Sequence, residues 1–158
     1  MEMNNNREQW NPGRRRFLWL VAGAAMALPL AATFTQTVRA GVKEVEEIIK
    51  NKFKNAPKEG RVKIIAPDFS ENGSSVPITV EVESPMTEAD HVKRVMVLAE
   101  GNPNPGIATL NFTPMMGNAK VDIKIRLAKA QKVVAVAEMS DGSVWRTSKE
   151  IKVSVGGC

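Results

Sequence analysis

Two side chains in this chain of 158 residues stand out for reactivity, the lone cysteine Cys158 and the lone histidine His91. Cys158 follows Gly156 and Gly157, which in turn follow a β-like run from Glu150 to Val155. A cysteine kept for packing sits inside a fold as a small hydrophobe, whereas this one ends a segment without side-chain bulk to bury. The layout predicts a thiol on a flexible arm, a handle able to carry a covalent group. His91 stands beside Asp90, but no nucleophile lies near it in sequence, and a surface histidine at a strand edge is the reading. A blue-copper centre needs two histidines, a cysteine and usually a methionine, which His91 and Cys158 cannot supply, so no metal site is expected. A redox enzyme is poorly supported as well, because one thiol has no resolving partner and no cofactor motif appears.

The N-terminus reads as an address. Arg14, Arg15 and Arg16 precede Phe17 and Leu18 and an apolar stretch to Ala32 that lacks acidic residues, the pattern of a twin-arginine export signal with Gly13 where Ser or Thr is usual. That stretch is shorter than the roughly 20 residues a membrane-spanning helix needs, and Pro29 interrupts it. A cleaved leader is therefore expected in place of a lasting membrane anchor, with Val38-Arg39-Ala40 as the cleavage signal, Gly41 as the first mature residue, and a cut after Ala32 as the alternative. Neither cut is followed by a cysteine that could be lipidated. Twin-arginine export moves folded proteins, and without a metal cage the motive for folding first is acquisition of a partner. The expected compartment is the periplasm.

Charge follows from the same division. Residues 1–40 hold five arginines and two glutamates, so they supply three of the five net positive charges and leave the mature chain near +2. Its lysines alternate with acids and form no stripe, which excludes nucleic-acid binding as a favoured reading. An unpaired thiol in an oxidising compartment is either reactive or intermolecular. An exported adaptor whose terminal cysteine forms an intermolecular disulfide is accordingly the competing function.

The elements that must position this thiol divide the chain into a leader (1–40), a helix and linker (41–60), a sandwich (61–155) and an arm (156–158). Val42, Val45, Ile49 and Phe53 recur at three- and four-residue spacing, which predicts an amphipathic helix over Val42–Phe53 closed by Pro57 and Gly60. After Gly60 the period becomes two, and seven strands are expected over 61–66, 76–83, 92–100, 107–113, 120–128, 132–139 and 144–155. Strict alternation, as in Val121, Ile123, Ile125 and Leu127 against Lys120, Asp122, Lys124 and Arg126, predicts strands dry on one face and wet on the other. Asp141-Gly142 marks a hairpin, and Asn102-Pro103-Asn104-Pro105 a stiff loop. Met115-Met116 reads as loop packing. The expected fold is all-β, an immunoglobulin-like antiparallel β-sandwich of about seven strands preceded by one short N-terminal helix, with a partly open barrel as runner-up.

Several stretches carry a resemblance to a known family. Pro67 and Ser70-Glu71-Asn72-Gly73-Ser74-Ser75-Val76-Pro77, the Asn102–Pro105 loop, Ile125-Arg126-Leu127-Ala128, Val134-Ala135-Val136-Ala137, Asp141-Gly142 and Lys152-Val153-Ser154-Val155-Gly156-Gly157-Cys158 together resemble the SoxY family, the sulfur-carrier subunit of the Sox thiosulfate-oxidation system. The resemblance spans essentially the whole mature chain. It implies that Cys158 is the covalent attachment point for sulfur, with no other cofactor, on a non-catalytic protein. It further implies a heterodimer with SoxZ, which would cross the membrane with this chain, and transient contacts with a haem protein that couples thiosulfate, a sulfate-releasing hydrolase and, in some organisms, a sulfane dehydrogenase. Family members usually continue Gly-Gly beyond the cysteine. The sequence ending at Cys158 is read as cut short, with an altered-loading variant as the alternative and attachment at Cys158 expected in both.

Overall fold

A computed structural model describes residues 32–154, with side chains from residue 41 onward. Its elements run α1 (Ala32–Lys52), β1 (Lys58–Glu59), β2 (Val62–Ile65), β3 (Phe69–Ser70), β4 (Val76–Val82), β5 (Val92–Ala99), β6 (Gly106–Asn111), β7 (Ala119–Ile125), β8 (Gln131–Met139) and β9 (Val144–Val153). All seven expected strands form, and β1 and β3 are two-residue additions that periodicity could not signal. Two separate sheets result, one ordered β1-β9-β8-β5-β6 with β3 also on β9, the other ordered β2-β4-β7. The long strands pair antiparallel, while β1 and β3 both run parallel to β9. A sandwich, not a barrel, is thus the outcome.

Alternation explains the smaller sheet directly. In β4 the residues Val76, Ile78, Val80 and Val82 are buried, and they meet Val95, Val97, Val133, Ala135 and Ile151 of the larger sheet in one core. Burying each valine contributes about 1.5–3 kcal/mol relative to exposure. The larger sheet departs from the expected dry-and-wet pattern at its centre, because β8 reads Val133-Val134-Ala135-Val136-Ala137 and is buried on both faces. Its outer face is covered by α1: Val45, Ile49 and Phe53 pack on Met96, Leu98, Val134, Val136 and Val144. The helix therefore belongs to the domain's own core.

Helix α1 begins ten residues before the expected start, at Ala32. No proline or glycine interrupts the chain between Ala32 and Gly41, so nothing in the sequence stops a helix there. At Gly41 it passes over the end of β5 so closely that a Cβ would overlap the Glu100 carbonyl oxygen. Its other end is held by Arg94, which ion-pairs with Glu138 at 2.6 Å, donates to the Lys52 carbonyl at 2.5 Å and lies over the Phe53 ring at 4.7 Å. Arg146 adds an ion pair to Glu46 at 2.7 Å. No described helix is long and apolar enough to cross a membrane.

At the opposite end from the β9 terminus, β8 turns into β9 as the Asp141-Gly142 pair predicts. Gly142 takes φ 82°, its N–H reaches the Met139 carbonyl at 3.0 Å, and the Asp141 carboxylate accepts the Ser143 N–H at 2.7 Å. Hydrogen bonding from the Ser143 hydroxyl, and after it from the Ser143 N–H, holds the Asp141 carboxyl below its usual range.

Candidate functional site

Strand β9 leads to residues 155–158, and its last residues are clamped from one side. Phe69 pairs with Lys152 and Ser70 with Val153 in parallel register. The Lys152 N–H donates to the Asp68 carbonyl at 2.9 Å, and the Ser154 N–H donates to the Ser70 carbonyl at 3.0 Å. Lys149 reinforces the clamp by donating to the Ala66 carbonyl at 2.6 Å and pairing with the Asp68 carboxylate at 3.0 Å. From the other side, Gln131 of β8 faces Ile151. The polypeptide is therefore fixed up to Ser154, four residues before the thiol.

Two loops close around this root. The Gly73 carbonyl accepts the Leu127 N–H at 2.8 Å, and a Cβ at Gly73 would sit 2.6 Å from the Leu127 carbonyl oxygen and 3.6 Å from the Val153 side chain. Glycine is what lets the Ser70–Ser75 loop lie so near the end of β9. Asn102 ties the second loop: it donates to the Arg126 carbonyl at 2.9 Å and accepts from the Ala128 N–H at 2.9 Å and from Gln131 Nε2 at 2.8 Å. Gln131, the buried polar residue of the core, also accepts the Gly101 N–H at 2.5 Å. Asn102, at the start of the loop expected to be stiff, thus ties it to the Arg126–Gln131 segment near the end of β9. Asn102→Ala removes three bonds and is expected to cost about 1–3 kcal/mol, read as a lower urea midpoint at unchanged slope.

Glu100 lies at the same end of the sandwich, its N–H on the Lys132 carbonyl at 3.1 Å. Burial raises its carboxyl above the ordinary range, Lys132 and Arg146 oppose that shift, and Glu46 adds to it. An acid with a raised folded value binds its proton more tightly when folded, so its contribution to stability is present at low pH and lost as pH rises through that value. Glu100→Gln is accordingly expected to raise Tm in mildly alkaline buffer and to leave it unchanged in buffer more acidic than the unfolded carboxyl's own pKa. Thermal melts of both proteins at the two pH values check this.

Of the residues singled out in the sequence, Gly156, Gly157 and Cys158 lie outside the described residues, as do Arg14, Arg15 and the apolar stretch after them. His91 lies at the end of the sandwich opposite the last residues of β9. It is half-buried before β5, its N–H donates to Ser140 Oγ at 3.1 Å, and its Nδ1 lies 3.1 Å from the Thr87 carbonyl. Its neighbour Asp90 pairs instead with Arg61 at 3.3 Å. Among the described residues no three His, Cys, Asp or Glu side chains converge as a metal site. Sequence reasoning missed β3 and the hub at Asn102. Ser70 and Gly73 were visible only as a turn-rich segment, and a two-residue strand has no period to detect.

The family model described as "Sulfur oxidation protein SoxY" matches residues 45–158. Among solved structures, the sulfur carrier protein SoxY from Chlorobium limicola f thiosulfatophilum is 28% identical with a TM-score of 0.60, covering 72% of this chain and 99% of that one. A superoxide reductase (neelaredoxin) from Ignicoccus hospitalis is 25% identical with a TM-score of 0.54, covering 60% of this chain and 81% of that one. No curated protein matches. A match that runs from within α1 through the whole sandwich and past the arm root shows that this chain belongs to the SoxY family of sulfur oxidation proteins.

Proposed function

We propose that this chain is a periplasmic, non-catalytic carrier that holds thiosulfate-derived sulfur covalently on Cys158 and presents it in turn to the enzymes of a sulfur-oxidation pathway. The observation that carries the reading is the lone cysteine placed four residues beyond a hydrogen-bonded root at Ser154. Residues 155–158 span about 13–14 Å at most, at roughly 3.3–3.6 Å per residue, enough to enter a narrow cleft while the body stays outside. Gly156 and Gly157 add no side-chain bulk to that span.

Loading forms one S–S bond between the Cys158 sulfur and the outer sulfur of thiosulfate. The thiol gives up a proton, and two electrons leave to the haem partner. Hydrolysis of the resulting S–SO3 bond releases sulfate and leaves a persulfide on Cys158. Each step is performed by the visiting enzyme, so the carrier itself requires no cofactor and no acid, base or metal. The test is intact-mass measurement after incubation with thiosulfate and the haem coupling enzyme. A gain on Cys158 is expected; no gain, or a gain that survives Cys158→Ala, removes the proposal.

Export by the Arg14-Arg15 signal in company with a second carrier subunit, SoxZ, completes the reading. Support for a retained subunit comes from β6. Its sequence Gly-Ile-Ala-Thr-Leu-Asn bears no charge, and among the described residues it pairs only with β5, at the edge of the larger sheet. Natural proteins usually guard such edges with lysine or proline inside the strand, as β7 does with Lys120 and Lys124. An unguarded edge is a template for a second chain. Four strand spacings of about 4.8 Å separate β6 from β3, so a subunit on β6 leaves the arm root accessible.

A further inference from the structure

Resting on the carrier reading, we infer that Phe69, with the adjoining Ile65–Pro67 segment, is the surface on which the enzyme that loads Cys158 seats its entrance. Phe69 is 55% exposed and Ile65 44%, although both stand in or beside strands of the domain. Of the exposed large hydrophobic residues described, Phe69 is the one whose backbone pairs with the last residues of β9. Met115 and Met116 lie at the other end of the sandwich, between β6 and β7. Next to Phe69 in the chain, Ile65, Ala66 and Pro67 form one wall of an open groove of about 470 Å³, with Pro77 and Ile123 among its other lining residues.

Reach decides what occupies this surface. At roughly 3.3–3.6 Å per residue the chain keeps Cys158 within about 13–14 Å of Ser154, so an enzyme that takes the thiol into a cleft must touch the body within that radius. Phe69 lies inside it, bonded through β3 to the residues that root the arm. The segment is also preorganised, since Lys149 holds both the Ala66 carbonyl and the Asp68 carboxylate. A rigid exposed aromatic loses little conformational freedom when it is covered, which suits an anchor in a brief encounter. The occupant is therefore a thiol-acting enzyme whose active-site mouth is rimmed by aliphatic or aromatic side chains.

The test compares wild-type, Phe69→Ala and Phe69→Leu proteins, each as the complex with its second subunit, for loading by thiosulfate and the haem coupling enzyme. Iodoacetamide alkylation of Cys158 serves as the parallel reaction. Phe69→Ala is expected to lower kcat/KM about tenfold through KM, with kcat at saturation and the alkylation rate unchanged and with Phe69→Leu restoring most of the loss. A kcat/KM within twofold of wild type overturns the inference. So does an equal slowing of alkylation, which would mean a disturbed arm root, or loss of the second subunit from Phe69→Ala, which would place a permanent partner there. Failure of the wild-type complex itself to load sulfur overturns the carrier reading and this inference with it.

Discussion

Cys158→Ala is expected to stop sulfur loading altogether, with thiosulfate-dependent electron flow in the reconstituted system falling to the level seen without the carrier. Residual activity at a few per cent of wild type would already be too much, because the chain has no second cysteine to take over the bond. Cys158→Ser is expected to behave identically, since a hydroxyl oxygen does not form the exchangeable sulfur linkage that thiolate chemistry provides. Neither change should affect folding. Among the described residues the core ends at Val153 and the last clamp bond is made at Ser154, so melting temperatures of both variants should equal that of the wild type. Loss of function without loss of stability is the signature of a tether, and calorimetry alongside the electron-flow assay reads both.

Second in size is the effect of Thr109→Pro. The Phe112 N–H donates to the Lys93 carbonyl at 2.9 Å, so by alternation Leu110 also faces β5 while Thr109 and Asn111 turn their backbone groups toward the open edge. Proline at 109 removes an outward N–H and no internal bond, a change that edge strands tolerate. A strand from a second subunit would lose a main-chain partner and meet the proline ring. The complex is expected to weaken at least tenfold in co-purification or sedimentation, and export should fall with it if the subunit crosses in company. Thr109→Val, which keeps the N–H, is the control and should bind as wild type. Equal binding by all three proteins would move the subunit off this edge.

The legible parts of the molecule were those governed by period. Alternation in β4 and β7 placed Val76, Ile78, Val80 and Ile125 in the core, and Asp141-Gly142 gave the hairpin because only a short list of residues accepts that turn. Double burial of β8 was not legible, since a run such as Val133–Ala137 looks the same whether its second face meets water or a helix. The early start of α1 was obscured by reading 33–40 as leader, and the residues there contain nothing that forbids a helix. At the candidate site the thiol and its two glycines were visible as residue types. The clamp was not, because β3 is two residues long and its partner lies more than eighty residues away in sequence. Asn102 posed the same difficulty: its side chain bonds to Arg126, Ala128 and Gln131, contacts that no local pattern encodes. Exposure of Phe69 was equally invisible, because Phe69, between Asp68 and Ser70, falls outside every alternating run.

The most direct measurement is peptide mapping by mass spectrometry of the protein isolated without reductant from cells grown on thiosulfate. The carrier account predicts sulfur or thiosulfonate mass on the peptide that contains Cys158, removable by dithiothreitol and absent from cells grown without thiosulfate. A C-terminal peptide that is unmodified under both conditions, or linked by a constant disulfide to another polypeptide, would contradict it.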